Sequence, residues 1–378
     1  MAQGIECSVL SRNFKLLDCP AIALRMTIQT TDLRALTSAP LDGLKVLELH
    51  AIGPVPFAGR LLQTLGAHVS RVSPLSDPGL GVAMEERFDL LNAGKTALKC
   101  DLKCTEGLAQ TLELIGQADV LLEGFRPGVL ERLQLAPATL LQLNPKLVIG
   151  RLSGWGTQGP LAARAGHDIN YLAISGLLQS IGTADAPHPP LNVVADFGGG
   201  AMHLVVGVLA MMARRAITGQ GGVADTSILA GTIGLTPMFY GMLAGGRWNL
   251  GRENNLLDGM LPFYRVYKTS DDKFVAVGAL EAKFYRELLE VLNLNNQIDA
   301  AVQYKPSSWA STTALFSQTI ASKTRDEWAQ IALTKDACLS PVLNFSEASA
   351  YAHNQANQWH VVSSDLTEPS NIITFKAL

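Results

Sequence analysis

Between residues 44 and 152, short apolar strands alternate with helical stretches, and this alternation constrains the fold more than any other feature of the chain. Residues 44–49 alternate in polarity as a strand does. A Gly/Pro loop follows at 51–56, residues 57–65 carry apolar side chains at helical spacing, and residues 68–72 form a second strand beyond Gly66. The order recurs as a helix over 106–116, a strand over 120–123, a helix over 137–143 and a strand over 147–152. Such repeated βαβ units predict an α/β fold: an open parallel sheet with helices on both faces and ligands beyond the carboxyl ends of its strands. A helix over 200–215 and a strand from Val223 complete this part.

The texture changes downstream. Residues 228–257 are Gly-rich and helical, and read as a connector. From Asp258, two short strands joined by a turn at Asp271 and Asp272 precede further helices, which predicts a second, smaller α+β domain over 258–340. The expected organisation is therefore an N-terminal extension (1–40), a large domain (41–227), the connector, the small domain and a C-terminal return toward the large domain (341–378).

Hydrophobic residues make up 48% of the 378 positions and charged residues 17%, which allows sizeable cores. A net charge of -3 argues against nucleic acid or an anionic membrane as a partner. No apolar run reads as reaching the roughly 18–20 residues that span a bilayer, and 202–212 reads as a buried helix. Five scattered cysteines fit a reducing compartment, and a cytoplasmic location is expected. Cys100 and Cys104 lack a second ligand pair, so no metal is expected. The loop after the first strand is no G-x-G-x-x-G fingerprint and its prolines remove backbone donors, so no nicotinamide or flavin cofactor is expected.

Two segments offer chemistry. The run GHDINY places His167 beside Gly166, and ADFGGG places Asp196 before three glycines. An imidazole and a carboxylate in sterically open backbone can pass a proton from one face of a carbon to the other. Each has a plainer reading: His167 as a structural histidine, Asp196 as the N-cap of the following helix. The glycines Gly198, Gly199 and Gly200 read as space for a ligand, with backbone donors for an enolate oxygen. Glu281 follows a strand and also reads as a carboxylate complementing a helix start. Arg126 and Arg132 either clamp a phosphate or are solvated. Lys45, Lys95, Lys99 and Lys103 read as mainly surface charge.

Eight segments in order (LDGLKVLEL, ADVLLEGFRPGVLERL, RLSGWGTQGP, AGHDINYLAISG, PPLNVVADFGGG, LLDGMLPFYRVY, FVAVGALEAKFY and DACLSPVL) resemble the family III CoA-transferases, and within them the alpha-methylacyl-CoA racemase branch. The resemblance implies a Rossmann-like large domain, a small domain and an interlocked homodimer with active sites between subunits. It implies an acyl-CoA thioester as substrate, so that coenzyme A arrives with the substrate and no separate cofactor is needed. His167 and Asp196 become the acid/base pair, and Glu281 the group that orients the histidine. Ile52, Lys99, Cys100, Asp101, Leu102, Arg126, Arg132, Gly166, Asp168, Asn170, Tyr171, Gly198 and Gly199 become contacts to the CoA ester. The implied activity is interconversion of (R)- and (S)-2-methylacyl-CoA through an enolate. The alternatives are CoA transfer with Asp196 as nucleophile and non-catalytic acyl-CoA binding.

Overall fold

The computed structural model describes residues 39–76 and 78–375. Nearly all of the expected N-terminal extension, residues 1–38, lies outside the described residues.

Six strands form one wholly parallel sheet: β1 (Lys45–Leu49), β2 (His68–Ser73), β3 (Thr96–Lys99), β4 (Val120–Glu123), β5 (Val148–Ser153) and β6 (Gly222–Ser227). Their spatial order is β3-β2-β1-β4-β5-β6. The order reverses between β1 and β4, which opens a crevice at their carboxyl ends. The edge strand β3 escapes the pattern reading because its four residues, Thr-Ala-Leu-Lys, are largely exposed and carry no alternation.

Strand periodicity distributes the core over both faces. Val46, Val69, Val120, Leu122 and Val148 pack with Val55, Ala58 and Leu62 of α1 (Pro54–Thr64) and with Leu204 and Val208 of α6 (Met202–Thr218). Their neighbours Leu47, Leu49, Val72, Leu121 and Ile149 turn the other way. They meet Ile115 of α2 (Thr105–Gln117), Leu130 of α3 (Val129–Arg132) and Leu140 of α4 (Pro137–Leu143). Each such aliphatic side chain contributes about 1.5–3 kcal/mol relative to exposure.

One residue breaks the apolar rule. Glu48 lies in the middle of β1 with its side chain 0% exposed, and Lys95 reaches it at 2.7 Å with only 1% of its own side chain exposed. The ammonium also donates to the carbonyl of Pro56 at 2.9 Å. Gly59 of α1 leaves the room, since a Cβ there would run into the Glu48 carboxylate. Lys95 is therefore not the surface charge that the sequence suggested. Burial raises the Glu48 pKa and lowers that of Lys95, and the mutual attraction opposes both shifts.

A second core surrounds an antiparallel sheet of β7 (Tyr264–Lys268), β8 (Phe274–Gly278) and β9 (Leu339–Pro341). Phe263, Tyr267, Tyr285, Phe316 and Trp328 fill it beneath α9 (Ala282–Val291), α10 (Pro306–Ile320) and α11 (Arg325–Ala332). A terminal hairpin, β10 (His360–Val362) and β11 (Thr367–Pro369), reaches Arg60 of α1 through Glu368 at 3.2 Å.

The helical run Val193–Thr218 is 26 residues long, which is long and apolar enough to cross a membrane by length and composition. This corrects the expectation that no run reaches that length: the extra residues are 193–201, which wind as a π-helix into α6. Leu204, Val205 and Val208 bury one side of it in the core of the parallel sheet.

Lys95→Met strands a buried carboxylate and is expected to destabilise the protein by about 3–5 kcal/mol in denaturant unfolding at pH 7. Adding Glu48→Leu is expected to recover most of that loss. A double variant no more stable than Lys95→Met would contradict this reading of the pair.

Candidate active site

Most of the residues singled out in the large domain lie on segments that follow the carboxyl ends of its parallel strands, which share one edge of the sheet. Ile52 follows β1, the segment 99–102 begins at the last residue of β3, Arg126 and Arg132 follow β4, and residues 166–171 follow the loop after β5.

In that loop the aromatic rings fix the backbone. The Trp155 and Tyr171 rings meet edge to face at 4.6 Å, and the Tyr171 hydroxyl donates to the carbonyl of Gly166 at 2.8 Å. Gly166 lies so close that a Cβ would come within 2.7 Å of the indole, so its glycine is a packing requirement. His167 then takes extended backbone as the N-cap of α5 (Asp168–Ser175), and its N–H donates to Asn170 Oδ1 at 3.0 Å. The imidazole is exposed, whereas the next side chain, Asp168, is buried at 7% exposure. Asp168 turns inward: its Oδ1 accepts the backbone N–H of Ala195 at 3.0 Å and that of Asp196 at 2.7 Å.

Asp196 is not the N-cap that the sequence allowed. It sits inside the π-helical segment Val193–Ala201, whose N-cap is Asn192. A π-helix bonds each N–H to the carbonyl five residues back, as Met202 does to Phe197, so the first amides lack partners within the segment. Asp168 supplies partners for two of them. The glycines also differ from expectation. A Cβ on Gly199 would come within 2.7 Å of the Thr232 nitrogen, one on Gly200 within 3.0 Å of Ile228, and one on Gly231 would meet the Gly199 carbonyl. Gly199 and Gly200 therefore serve the packing of α7 (Ile228–Gly234) rather than ligand space, and the π-helical bonding occupies the amides of Gly198, Gly199 and Gly200. The first helix of the presumed connector is thus a brace for the site.

On the opposite side, the loop between β1 and α1 approaches Asp196. Gly53 has φ 64°, a region that favours glycine, and its missing Cβ would lie 3.6 Å from Asp196 Oδ2. The Phe57 and Phe197 rings stack at 4.3 Å and seal this contact. Burial raises the Asp196 pKa from 3.8 to about 6, with the Asp168 charge adding to the shift and Asn192 and His167 opposing it. Burial likewise lifts Tyr171 to about 12; the Asp196 charge adds to this, and Arg126 opposes it. His167, Asp168, Tyr171, Arg126 and Asp196 thus share one electrostatic environment.

Glu281 does not join them within the chain. It is the exposed N-cap of α9, beside Cys338 and Tyr304, whose pKa values burial and then its charge raise. The preceding backbone is pinned by Gln303, which donates to the Ala279 carbonyl at 3.0 Å, and by Tyr304, which donates to the Leu280 carbonyl at 2.7 Å. Among the expected CoA contacts, Lys99, Arg126, Arg132 and Asn170 are exposed, and Ile52 is 40% exposed against Gly81. Leu102 packs on the sheet core. Cys100 is buried with its thiol on the Gly107 carbonyl at 3.0 Å, and Asp101 accepts the Lys103 N–H at 2.9 Å; both brace the start of α2. Gly53, Phe57, Asn192 and Gly231 were missed, and only Gly53, in the Gly/Pro loop after the first strand, carried a sequence signal.

Residues 41–376 match the model of CoA-transferase family III, and the chain belongs to that family. Among its relatives, an alpha-methylacyl-CoA racemase of Mus musculus is 44% identical over 316 residues, covering 83% of this chain and 81% of that protein. The alpha-methylacyl-CoA racemase of Homo sapiens is 39% identical, covering 86% of this chain and 83% of that protein. A crystal structure of a CAIB/BAIF family protein from Brucella suis shares the fold, with TM-score 0.74 and 24% identity over 89% of this chain and 93% of that one.

Because the folded state holds Asp196 at about 6 against an ordinary 3.8, it binds its proton more tightly than the unfolded chain does. The cost of burying the carboxylate is absent below pH 4 and complete above pH 6. Asp196→Asn is therefore expected to raise the unfolding free energy on the order of 1–3 kcal/mol at pH 8, and by little at pH 3.5. An equal change at both pH values would contradict the assignment.

Proposed function

We propose that this chain is an isomerase that interconverts (R)- and (S)-2-methylacyl-CoA thioesters by moving the α-proton through an enolate. The observation that carries the reading is the pairing of His167 with Asp196, an exposed imidazole at a helix start beside a carboxylate elevated to about 6. A carboxyl group with that affinity both takes and returns a proton near neutral pH. The two racemase relatives, at 44% and 39% identity, support the same activity.

In this mechanism His167 removes the α-proton of the (S)-thioester and Asp196 delivers one to the opposite face. The roles exchange in reverse. The enolate oxygen is held at the first turn of α5, where the amides of Asp168 and Ile169 have no partner within the helix and the dipole favours negative charge. The amides of Gly198, Gly199 and Gly200, by contrast, are bonded within the π-helical segment. Arg126, Arg132 and Lys99, exposed at the same edge of the sheet, take the CoA phosphates. Coenzyme A belongs to the substrate, and no further cofactor enters any step.

The same reading includes a homodimer in which Glu281 of one subunit faces His167 of the other. The Glu281 carboxylate makes no hydrogen bond or ion pair among the described residues and stands exposed on its helix start. Apolar side chains on α5, α6 and the helix Pro237–Ala244 are also exposed, among them Ile174 at 59%, Val206 at 62%, Met238 at 53% and Tyr240 at 58%. Apolar surface of that kind supports a subunit interface. A cytoplasmic location fits the free thiols of Cys100, Cys104 and Cys338 among the described residues.

Incubation with a 2-methylacyl-CoA in D2O is expected to place deuterium at C2 and to yield both epimers, with no hydroxylamine-sensitive adduct on Asp196. An Asp196 adduct without C2 exchange would replace this reading with CoA transfer.

A further inference from the structure

We propose that Asp168 is a positioning residue of this site: a single carboxylate oxygen ties the backbone of Asp196 to the start of α5 and so sets the separation of the two bases. The proposal rests on the reading of His167 and Asp196 as opposed bases. Its geometry is direct. His167 and Asp168 are consecutive, so any shift of α5 carries both. Oδ1 of Asp168 grips two successive amides, those of Ala195 and Asp196, at 3.0 and 2.7 Å. Two bonds to adjacent amides fix orientation as well as distance, which one bond would not. The pairing joins two elements that no strand ladder connects.

Satisfying two amides does not by itself call for a charge, because a neutral carbonyl oxygen also accepts, though less strongly. Placing an ionisable side chain at 7% exposure costs free energy that a neutral acceptor would avoid, so the charge calls for its own account. Its neighbour supplies one: the Asp168 charge is the second cause, after burial, of the elevated Asp196 affinity for its proton. The other groups around Asp196 are few. From α5 come His167 and Tyr171, Asn192 caps the segment itself, and Arg126, from the loop after β4, acts on Tyr171. Helix α7 brings no titratable side chain, Arg60 of α1 is paired with Glu368, and His203 of α6 faces the Gly198 carbonyl at 3.3 Å. Among these groups Asp168 is the one that combines a tether with a like charge.

Two substitutions in the full chain separate these functions. Asp168→Asn keeps the acceptor oxygen and drops the charge, whereas Asp168→Ala removes both. Hydrogen exchange is expected to show the Ala195 and Asp196 amides protected in Asp168→Asn and deprotected in Asp168→Ala. The carboxyl infrared band of Asp196, with Asp196→Asn as blank, is expected to titrate at lower pH in Asp168→Asn. With a 2-methylacyl-CoA, Asp168→Ala is expected to lose on the order of tenfold or more in kcat with little change in KM. In Asp168→Asn the acid limb for the (R)-epimer is expected to move to lower pH. Unaltered amide protection in Asp168→Ala, or an unmoved Asp196 titration in Asp168→Asn, would overturn the proposal. A parent chain that exchanges no α-proton would overturn the two-base reading instead, and the exchange and infrared measurements would still decide the tether.

Discussion

Two hydrogen bonds from one buried oxygen, Asp168 Oδ1, hold together the parts of this molecule that matter for chemistry. The parallel sheet delivers His167 after β5, and the chain must travel on to Asn192 before it can present Asp196. No ladder of strand bonds spans that interval. The Asp168 contact closes it, and it does so at the start of a π-helical segment, where the amides have no partner of their own. The surrounding contacts make sense as support. Phe57 stacks on Phe197 from one side, and α7 packs glycine to glycine from the other.

The fold was legible because its determinants are local and periodic. Short, nearly continuous apolar runs in β1, β4 and β5 report a sheet buried on both faces, and the helices between them keep their spacing. What stayed hidden has specific causes. Strand β3 lies at an exposed edge, where no apolar pattern is needed. Glu48 and Lys95 look solvated in the sequence because nothing in a single chain announces that residues 47 positions apart will neutralise each other in the interior. The π-helix carries no periodicity of its own and merges with α6 in any helical reading.

At the site, residue identity was easier to read than residue purpose. His167 and Asp196 stood out by chemistry and by family resemblance. The glycines beside Asp196 were read as room for a ligand, and their actual neighbours are Thr232 and Ile228, which belong to a segment taken for a connector. Asp168 was placed with the substrate contacts because it lies in the same motif; its side chain instead serves the backbone of Asp196. Close helix packing and ligand access both demand glycine, so sequence alone could not separate them.

These assignments depend on an imidazole and a carboxylate addressing opposite faces of one carbon, and the isotope exchange of single epimers measures that directly. His167→Ala is expected to stop α-proton exchange from the (S)-thioester while exchange from the (R)-thioester continues, and Asp196→Asn is expected to show the reverse. Loss of both exchanges to the same extent in each variant would contradict a site with one base on each face.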